Sequence, residues 1–393
     1  MAQRPSRNSR LGDYVTTTVA GERVRAYVPP ALPPEPPLAL DAELQDLLER
    51  ANRGLGRLDG VARLFPDPQM FLYMYVRKEA LLSSQIEGTQ SSFSDLLLYE
   101  TKEAPGVPVD DVEEVSHYVA ALNHALKRIH DGFPLSLRLI RETHGILLSG
   151  GRGRHKAPGE FRRTQNWIGG SRPGNARFVP PPQDRVPELM GQLERFLHDD
   201  PIKTPLLIKA ALAHVQFETI HPFLDGNGRA GRLLITLLLC AEKALAEPLL
   251  YLSLHFKTHR SYYYELLQRV RTEGAWEDWL RFFLEGVAET TDQATRTAQR
   301  ILDLLKADRA KIEALGRASA SALHLHSILQ EKVILSIPGA AKRTRLSQPT
   351  VTKALLNLEN LGIVRESTGG RRNKLYAYGA YLKILEEGAE PLG

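Results

Sequence analysis

One segment constrains this chain more tightly than any other: His221-Pro222-Phe223-Leu224-Asp225-Gly226-Asn227-Gly228-Arg229-Ala230-Gly231-Arg232. It lies between two apolar stretches with helical spacing, so it reads as an interhelical loop that opens into a helix. Gly226 and Gly228 let backbone N–H groups converge on one point. The helix that follows adds its positive N-terminus, and together they make an anion site. Arg229 and Arg232 stand three residues apart, on one face of the first turn. Cations at a helix N-terminus oppose the macrodipole, a conflict that bound phosphates would remove. Asp225 supplies an oxygen suited to Mg²⁺ bridging two phosphates. His221 is near enough to act as a general base. Base, metal ligand, anion nest and two guanidiniums describe a nucleotide phosphate site.

Two better-known phosphate motifs are excluded. Gly226 to Gly231 fits GxGxxG, but the dinucleotide fingerprint needs a preceding strand and a βαβ unit, and a helix-like stretch precedes it here. A P-loop needs Gly-Lys-Ser/Thr, which does not follow. A plain Gly-rich connection with solvated arginines is the bland alternative. It must explain four separate chemical requirements met within twelve residues.

The rest of the chain fits a soluble globular protein of two or three domains, with 393 residues, 42% of them apolar and 25% charged. Its longest largely apolar run, Leu233–Cys240, is far below the ~18 residues of a membrane span. The N-terminus is basic but lacks an apolar h-region, so no secretory signal is expected. Cys240 is the only cysteine, which excludes an intrachain disulfide and a cysteine-rich zinc site. A cytoplasmic home fits. The net charge of +5 is unevenly placed: residues 151–178 carry seven Lys/Arg against Glu160, and residues 341–376 carry eight against Glu359 and Glu366. Two basic patches imply anionic partners.

Residues 1–40 read as an extended arm, because prolines crowd positions 29–37 and favour polyproline II. Helical patterns follow: one capped by Asp41, one ending at Gly88, one opened by the box-like Ser92-x-x-Asp95, and one stopping at Gly132. Residues 149–182, rich in Gly and Pro, hold two short strand-like pieces and read as a hairpin flap. Thr204-Pro205 reads as an N-cap and N1 pair. Residues 285–322 read as a charged helical linker. His117, His124 and His144 lie on helices without metal-ligand spacing and read as structural. Near the C-terminus, HLHSILQEKVIL and GAAKRTR read as helical, followed by a Ser347-capped helix, a strand, a basic turn and a strand. The expected units are 1–110, 111–290, 291–322 and 323–393.

The central segment resembles the Fic family motif HxFx(D/E)GNGRxxR, with every fixed position present, and the resemblance extends loosely over about residues 30–285. It implies a mainly α fold: a helical bundle with a small β-hairpin flap. It also implies AMP transfer from ATP-Mg²⁺ to a Ser, Thr or Tyr hydroxyl of a target protein. His221 would then take the hydroxyl proton, and Asp225 would hold Mg²⁺. Asn227 and the Gly226 and Gly228 amides would cradle phosphate oxygens, within a nucleotide-binding stretch that continues through Ala230 and Gly231. Arg229 would contact the β-phosphate and Arg232 the γ-phosphate. Phe223 would point into the core.

Ser83-Ser84-Gln85-Ile86-Glu87-Gly88 matches the family's inhibitory motif (S/T)xxxE(G/N). Glu87 is an acid at a helix C-terminus, the wrong end for the dipole. A Glu87–Arg232 pair would satisfy two misplaced charges at once, with Ser83 one turn back on the same face. Phe178 and Val179 are expected to clamp the acceptor side chain, or else to pack inside the flap. Tyr263 is expected to flank adenine. Residues 323–378 resemble a winged helix-turn-helix, with a recognition helix from Ser347 to Leu361 and a wing carrying Arg371, Arg372 and Lys374; DNA is the implied partner. A homodimer is expected by analogy. Two rival functions stay open: a DNA-binding regulator using the core as a nucleotide sensor, and a related enzyme with another donor or one that removes AMP.

Overall fold

The computed structural model describes residues 10–64, 68–101, 109–368 and 374–391. The chain opens with a hairpin, β1 (Asp13–Val19) and β2 (Glu22–Val28), where an extended arm was expected. Its turn is Ala20-Gly21, with φ of 49° and 83°, the left-handed pair that a two-residue hairpin needs. The alternation in ERVRAYV, with Val24 and Ala26 buried on one face, is the sequence signal for it; the neighbouring prolines masked that signal.

A layer of helices follows: α1 (Ala42–Ala62), α2 (Pro68–Ile86), α3 (Phe93–Thr101), α4 (Val109–His130) and α5 (Leu137–Leu147). Asp41 caps α1 by accepting from the Leu44 amide, and Ser92 and Asp95 exchange hydrogen bonds at the start of α3. The flap segment then runs irregularly. Only a single bridge joins Ile168 to Phe178, so the expected hairpin is reduced to one rung. Beyond it lie α6 (Val186–Leu197), α7 (Leu206–Ile220), α8 (Asn227–Ala241), α9 (Ser253–Thr258) and α10 (Arg260–Glu273). Pro205, rather than Thr204, caps α7, without a side-chain bond. α7 and α8 are buried nearly all round, as their apolar sequences require, and they form the centre of the bundle.

The long α11 (Trp276–Glu313) corrects the linker reading. It packs along α1, and Ala294, Ala298, Ile301, Leu305 and Ile312 are buried, so the expected boundary at 290/291 falls inside one continuous helix. Its exposed charges hide an apolar stripe that keeps helical period. The C-terminal part contains α12 (Ser319–Lys332), β3 (Ile334–Ser336), α13 (Ile337–Thr344), α14 (Gln348–Asn360), β4 (Arg365–Glu366), β5 (Leu375–Ala377) and α15 (Gly379–Glu386). Ile334 and Leu335, the end of a stretch that reads as helical, instead form with Ser336 the edge of a three-stranded antiparallel sheet ordered β3-β5-β4. Ser347 caps α14, as its sequence predicts.

This C-terminal part does not hang free. Its apolar residues belong to the same core as the bundle. Lys78 and Gln85 of α2 donate to the carbonyls of Glu387 and Ala389, at 2.7 and 3.0 Å. Arg300 of α11 grips Glu387 with two parallel bonds. No helix among the described residues is long and apolar enough to cross a membrane.

Candidate active site

The site is built where α7 ends and α8 begins. α7 stops at His221, which adopts a left-handed conformation with φ of 50°, unusual for a residue with a Cβ. Gly226, with φ of 73°, then caps α8. Between them the loop is held from inside. Phe223 is fully buried and stacks on His144, with ring centroids 3.6 Å apart and planes 4° from parallel. The Gly159 amide donates to His144 Nδ1, which leaves Nε2–H to donate to the Asp225 carbonyl at 2.9 Å. Burial pushes the His144 pKa down to about 4, so the ring stays neutral and keeps both bonds.

Asn227 holds the loop together. Its side chain is buried and closes a two-way bond with the Phe223 backbone: Oδ1 accepts from that amide at 2.8 Å and Nδ2 donates to that carbonyl at 2.9 Å. The staple uses one of the two Nδ2 hydrogens and leaves the other uncommitted. Ala230 and Gly231 are buried as well. A Cβ on Gly231 would come within 2.8 Å of Glu218 Oε1, so that glycine serves the close packing of α8 on α7.

Arg229 and Arg232 do share the first turn of α8, and both are buried. Arg229 pairs with Glu114 of α4 at 3.3 Å. Arg232 is held by α2: Nε donates to Ser83 Oγ at 2.8 Å, and Nη2 donates to the Ser83 carbonyl at 2.9 Å and to Glu87 Oε1 at 2.6 Å. Burial disfavours the Arg232 charge, but Glu87 together with the Tyr263 and Tyr264 hydroxyls raises its pKa. Gly88 follows with φ of 101° and ends the helix as expected. The Glu87 carboxylate lies so close to Gly228 that a Cβ there would collide with Oε1. An internal carboxylate therefore sits beside the helix N-terminus that would otherwise receive an anion.

Two guanidinium donors of the site remain without partners. Arg229 Nε and Arg232 Nη1 are buried and make no hydrogen bond among the described residues. Orphaned guanidinium N–H groups are costly unless an anion completes them. Asp225 is half-buried and engages the Gly226 amide through Oδ1 at 2.6 Å, which leaves Oδ2 for a cation. Residues and geometry thus fit a nucleotide phosphate with a divalent ion, and Asp225 would hold that ion.

Burial pushes the His221 pKa down to about 3, helped by the Arg271 and Arg162 charges. The imidazole is neutral at ordinary pH and can accept a proton. Arg162 was not singled out from the sequence, where it is one of the seven cations of a basic patch. It is buried, donates to the His221 carbonyl at 2.9 Å, and also reaches the Pro181 carbonyl at 2.5 Å. It fixes the strained turn at His221 to the flap segment. Glu218 is a second residue that sequence reading missed. It is buried one turn before His221, and burial raises its pKa to about 7 despite Arg232.

Three other expectations need correction. Tyr263 is fully buried, its hydroxyl 2.8 Å from His214 Nε2, so it cannot flank a base without repacking the core. Phe178 and Val179 are buried too. Phe178 carries the Arg271 guanidinium 4.0 Å over its ring. Val179 packs with Val19, Val24 and Ala26 of the N-terminal hairpin, and its carbonyl accepts from the Tyr27 amide at 2.9 Å. They take the packing alternative, because an unforeseen hairpin covers them. Arg371 and Arg372 lie outside the described residues; Lys374 is half-buried just before β5.

Comparisons with known proteins meet at this site. Residues 45–127 match the family described as Fic/DOC family N-terminal, and residues 134–239 match the Fic/DOC family. The protein adenylyltransferase Fic of Drosophila erecta is 31% identical over 200 residues, covering 50% of this chain and 37% of that protein. The protein of the same name from Culex quinquefasciatus is 32% identical over 215 residues, covering 53% and 39%. The match therefore spans less than half the length of these relatives. A crystal structure of a Fic family protein from Desulfovibrio desulfuricans G20 shares the fold, with a TM-score of 0.56 at 21% identity, covering 88% of this chain and 98% of that one.

Proposed function

The chain belongs to the Fic/DOC family, and from that premise we propose that it is a protein adenylyltransferase. In this reading it transfers AMP from ATP to a Ser, Thr or Tyr hydroxyl of a target protein and releases pyrophosphate. The observation that carries it is the set of buried, unpartnered donors on Arg229 and Arg232, next to a neutral His221. The relatives named adenylyltransferases support the choice of group transferred.

His221 accepts the proton of the attacking hydroxyl as the new O–P bond forms at the α-phosphorus, and the bond to the pyrophosphate oxygen breaks. The Gly226 and Gly228 amides and the α8 N-terminus receive phosphate oxygens, with Arg229 toward the β-phosphate and Arg232 toward the γ-phosphate. Mg²⁺ held by Asp225 would neutralise charge on the two inner phosphates. A bound triphosphate also raises the His221 pKa from its low resting value, which strengthens the base where it is needed. Glu87 restrains the enzyme. While its carboxylate occupies Arg232, the γ-phosphate loses its cation and meets a like charge.

A second reading rests on the C-terminal part. Lys342, Arg343, Arg345 and Lys353 are exposed and pair with no carboxylate among the described residues. A duplex read by α14 would employ those charges. In that case DNA is the partner of residues 323–393, and the core is a nucleotide sensor.

The deciding experiment uses Glu87→Gly protein with α-labelled or γ-labelled ATP, and His221→Ala as the control. Label retained from the α position only, and lost with His221→Ala, is the expected result. Label retained from γ means phosphoryl transfer and overturns the proposal. No label from either position favours the sensor, and salt-sensitive DNA binding by the full chain then tests it.

A further inference from the structure

Away from the nucleotide site, His255 of α9, His259 just after that helix and Glu289 of α11 come together. A ring nitrogen from each histidine and a carboxylate oxygen all lie within 4.8 Å of one another. We propose that these three residues form a binding site for a divalent transition metal of the zinc class.

The spacing comes from the helices. His255 and His259 are one turn apart, joined by a backbone bond of 3.0 Å from the His259 amide to the His255 carbonyl. Their ring centroids are 4.7 Å apart. Glu289 reaches in from the facing helix, with Oε2 3.1 Å from His255 Nδ1. Ligand atoms around a tetrahedral zinc ion, with bonds of about 2.0–2.1 Å, sit roughly 3.4 Å apart, so one of the three separations already fits.

His255 is the fixed member. It is buried, and its ring packs against Phe282, with centroids 4.5 Å apart. The same ring lies against the α11 backbone at Gly286, where an added Cβ would come within 2.6 Å of His255 Cδ2. Any residue but glycine at 286 would push the ring out of place. His255 Nδ1 is the ring nitrogen that faces Glu289 and would bind the ion. His259 and Glu289 are exposed and can rotate to close the coordination.

The charge around the cluster favours a cation. Glu285 lies one turn before Glu289 on α11, and burial together with the Glu289 charge holds its carboxyl above the ordinary range. The nearby Arg281, turned toward Asp41 and Glu43 at 3.5 and 3.3 Å, offsets part of that shift, as does His259. A donor set of two imidazoles and a carboxylate selects zinc, nickel or copper over magnesium and calcium, which prefer oxygen ligands alone. The site is independent of Asp225 and of the AMP-transfer reading.

The test is Zn²⁺ titration of the untagged full chain by calorimetry, followed by Co²⁺ as a spectroscopic probe. The proposal expects saturable Zn²⁺ binding, visible Co²⁺ bands of low-symmetry coordination, and a Tm raised by Zn²⁺. His259→Ala and Glu289→Gln change exposed residues. Each is expected to weaken Zn²⁺ binding by at least about tenfold and to abolish the Tm shift. Asp225→Ala is the counter-control and leaves this binding in place. Absence of saturable Zn²⁺ binding, or equal binding in wild type and both variants, overturns the proposal and leaves His255 and Glu289 as a plain hydrogen-bonded pair.

Discussion

The end of α2 and the start of α8 break the same rule in opposite directions. Glu87 puts an acid at a helix C-terminus, and Arg229 and Arg232 put cations at a helix N-terminus. The two ends meet, yet they are not equivalent. The Arg232 side chain is 2% exposed and tied to three acceptors, whereas the Glu87 side chain is 36% exposed and accepts from Arg232 through Oε1. In the proposed function Arg232 is the fixed member of the phosphate site and Glu87 the removable one. Burial decides which partner of the pair can let go.

That asymmetry can be broken from either side. Arg232→Ala in a Glu87→Gly background should lower AMP transfer by on the order of 100-fold, because a buried cation facing the γ-phosphate is lost. Steady-state rates with α-labelled ATP check this, and an unchanged rate would show that Arg232 is only a tether for Glu87. Glu87→Gln keeps the shape and removes the charge. It should raise transfer several-fold, since a charged hydrogen bond exceeds a neutral one by about 1 kcal/mol. Ser83→Ala removes one bond to Arg232 Nε and leaves the Ser83 carbonyl in place. Its effect should be smaller, a rise of roughly two- to fivefold, from the loss of about 0.5–1 kcal/mol. The pH profile sharpens the other end of the site. In the proposed mechanism neutral His221 is the active form, and burial depresses its pKa to about 3. For Glu87→Gly, kcat/KM should therefore show no acid limb from His221 between about pH 5 and 8. An inflection at an ordinary histidine value near 6.5 would mean that the ring is solvated before the nucleotide binds.

What could be read from the sequence follows the same division. The 221–232 loop was legible because its chemistry is contiguous, and Glu87 because a broken dipole rule needs no tertiary information. Direction was not legible. Tyr263, Phe178 and Val179 carry suitable chemistry, but their side chains turn inward, and residue type alone does not say which way a side chain points. Arg162 was hidden for the opposite reason. Its partners are backbone carbonyls from separate segments, including His221 and Pro181, which only the fold brings together. In α11 the apolar stripe was present, but surface charge outweighed it in a linear reading. Of the two basic patches, the first is partly spent inside the molecule: Arg162 on carbonyls and Arg172 on Glu22 at 2.5 Å. The second keeps exposed cations around α13 and α14. Equal net charge concealed that difference.

The most direct measurement is the initial rate of α-label incorporation by wild type and Glu87→Gly, side by side, at equal ATP and Mg²⁺. The account predicts that the variant is faster by about tenfold or more, the effect of freeing Arg232 from one charge-assisted bond. Equal rates would contradict it, and would mean that the Glu87–Arg232 pair belongs to the fold and not to the control of the site.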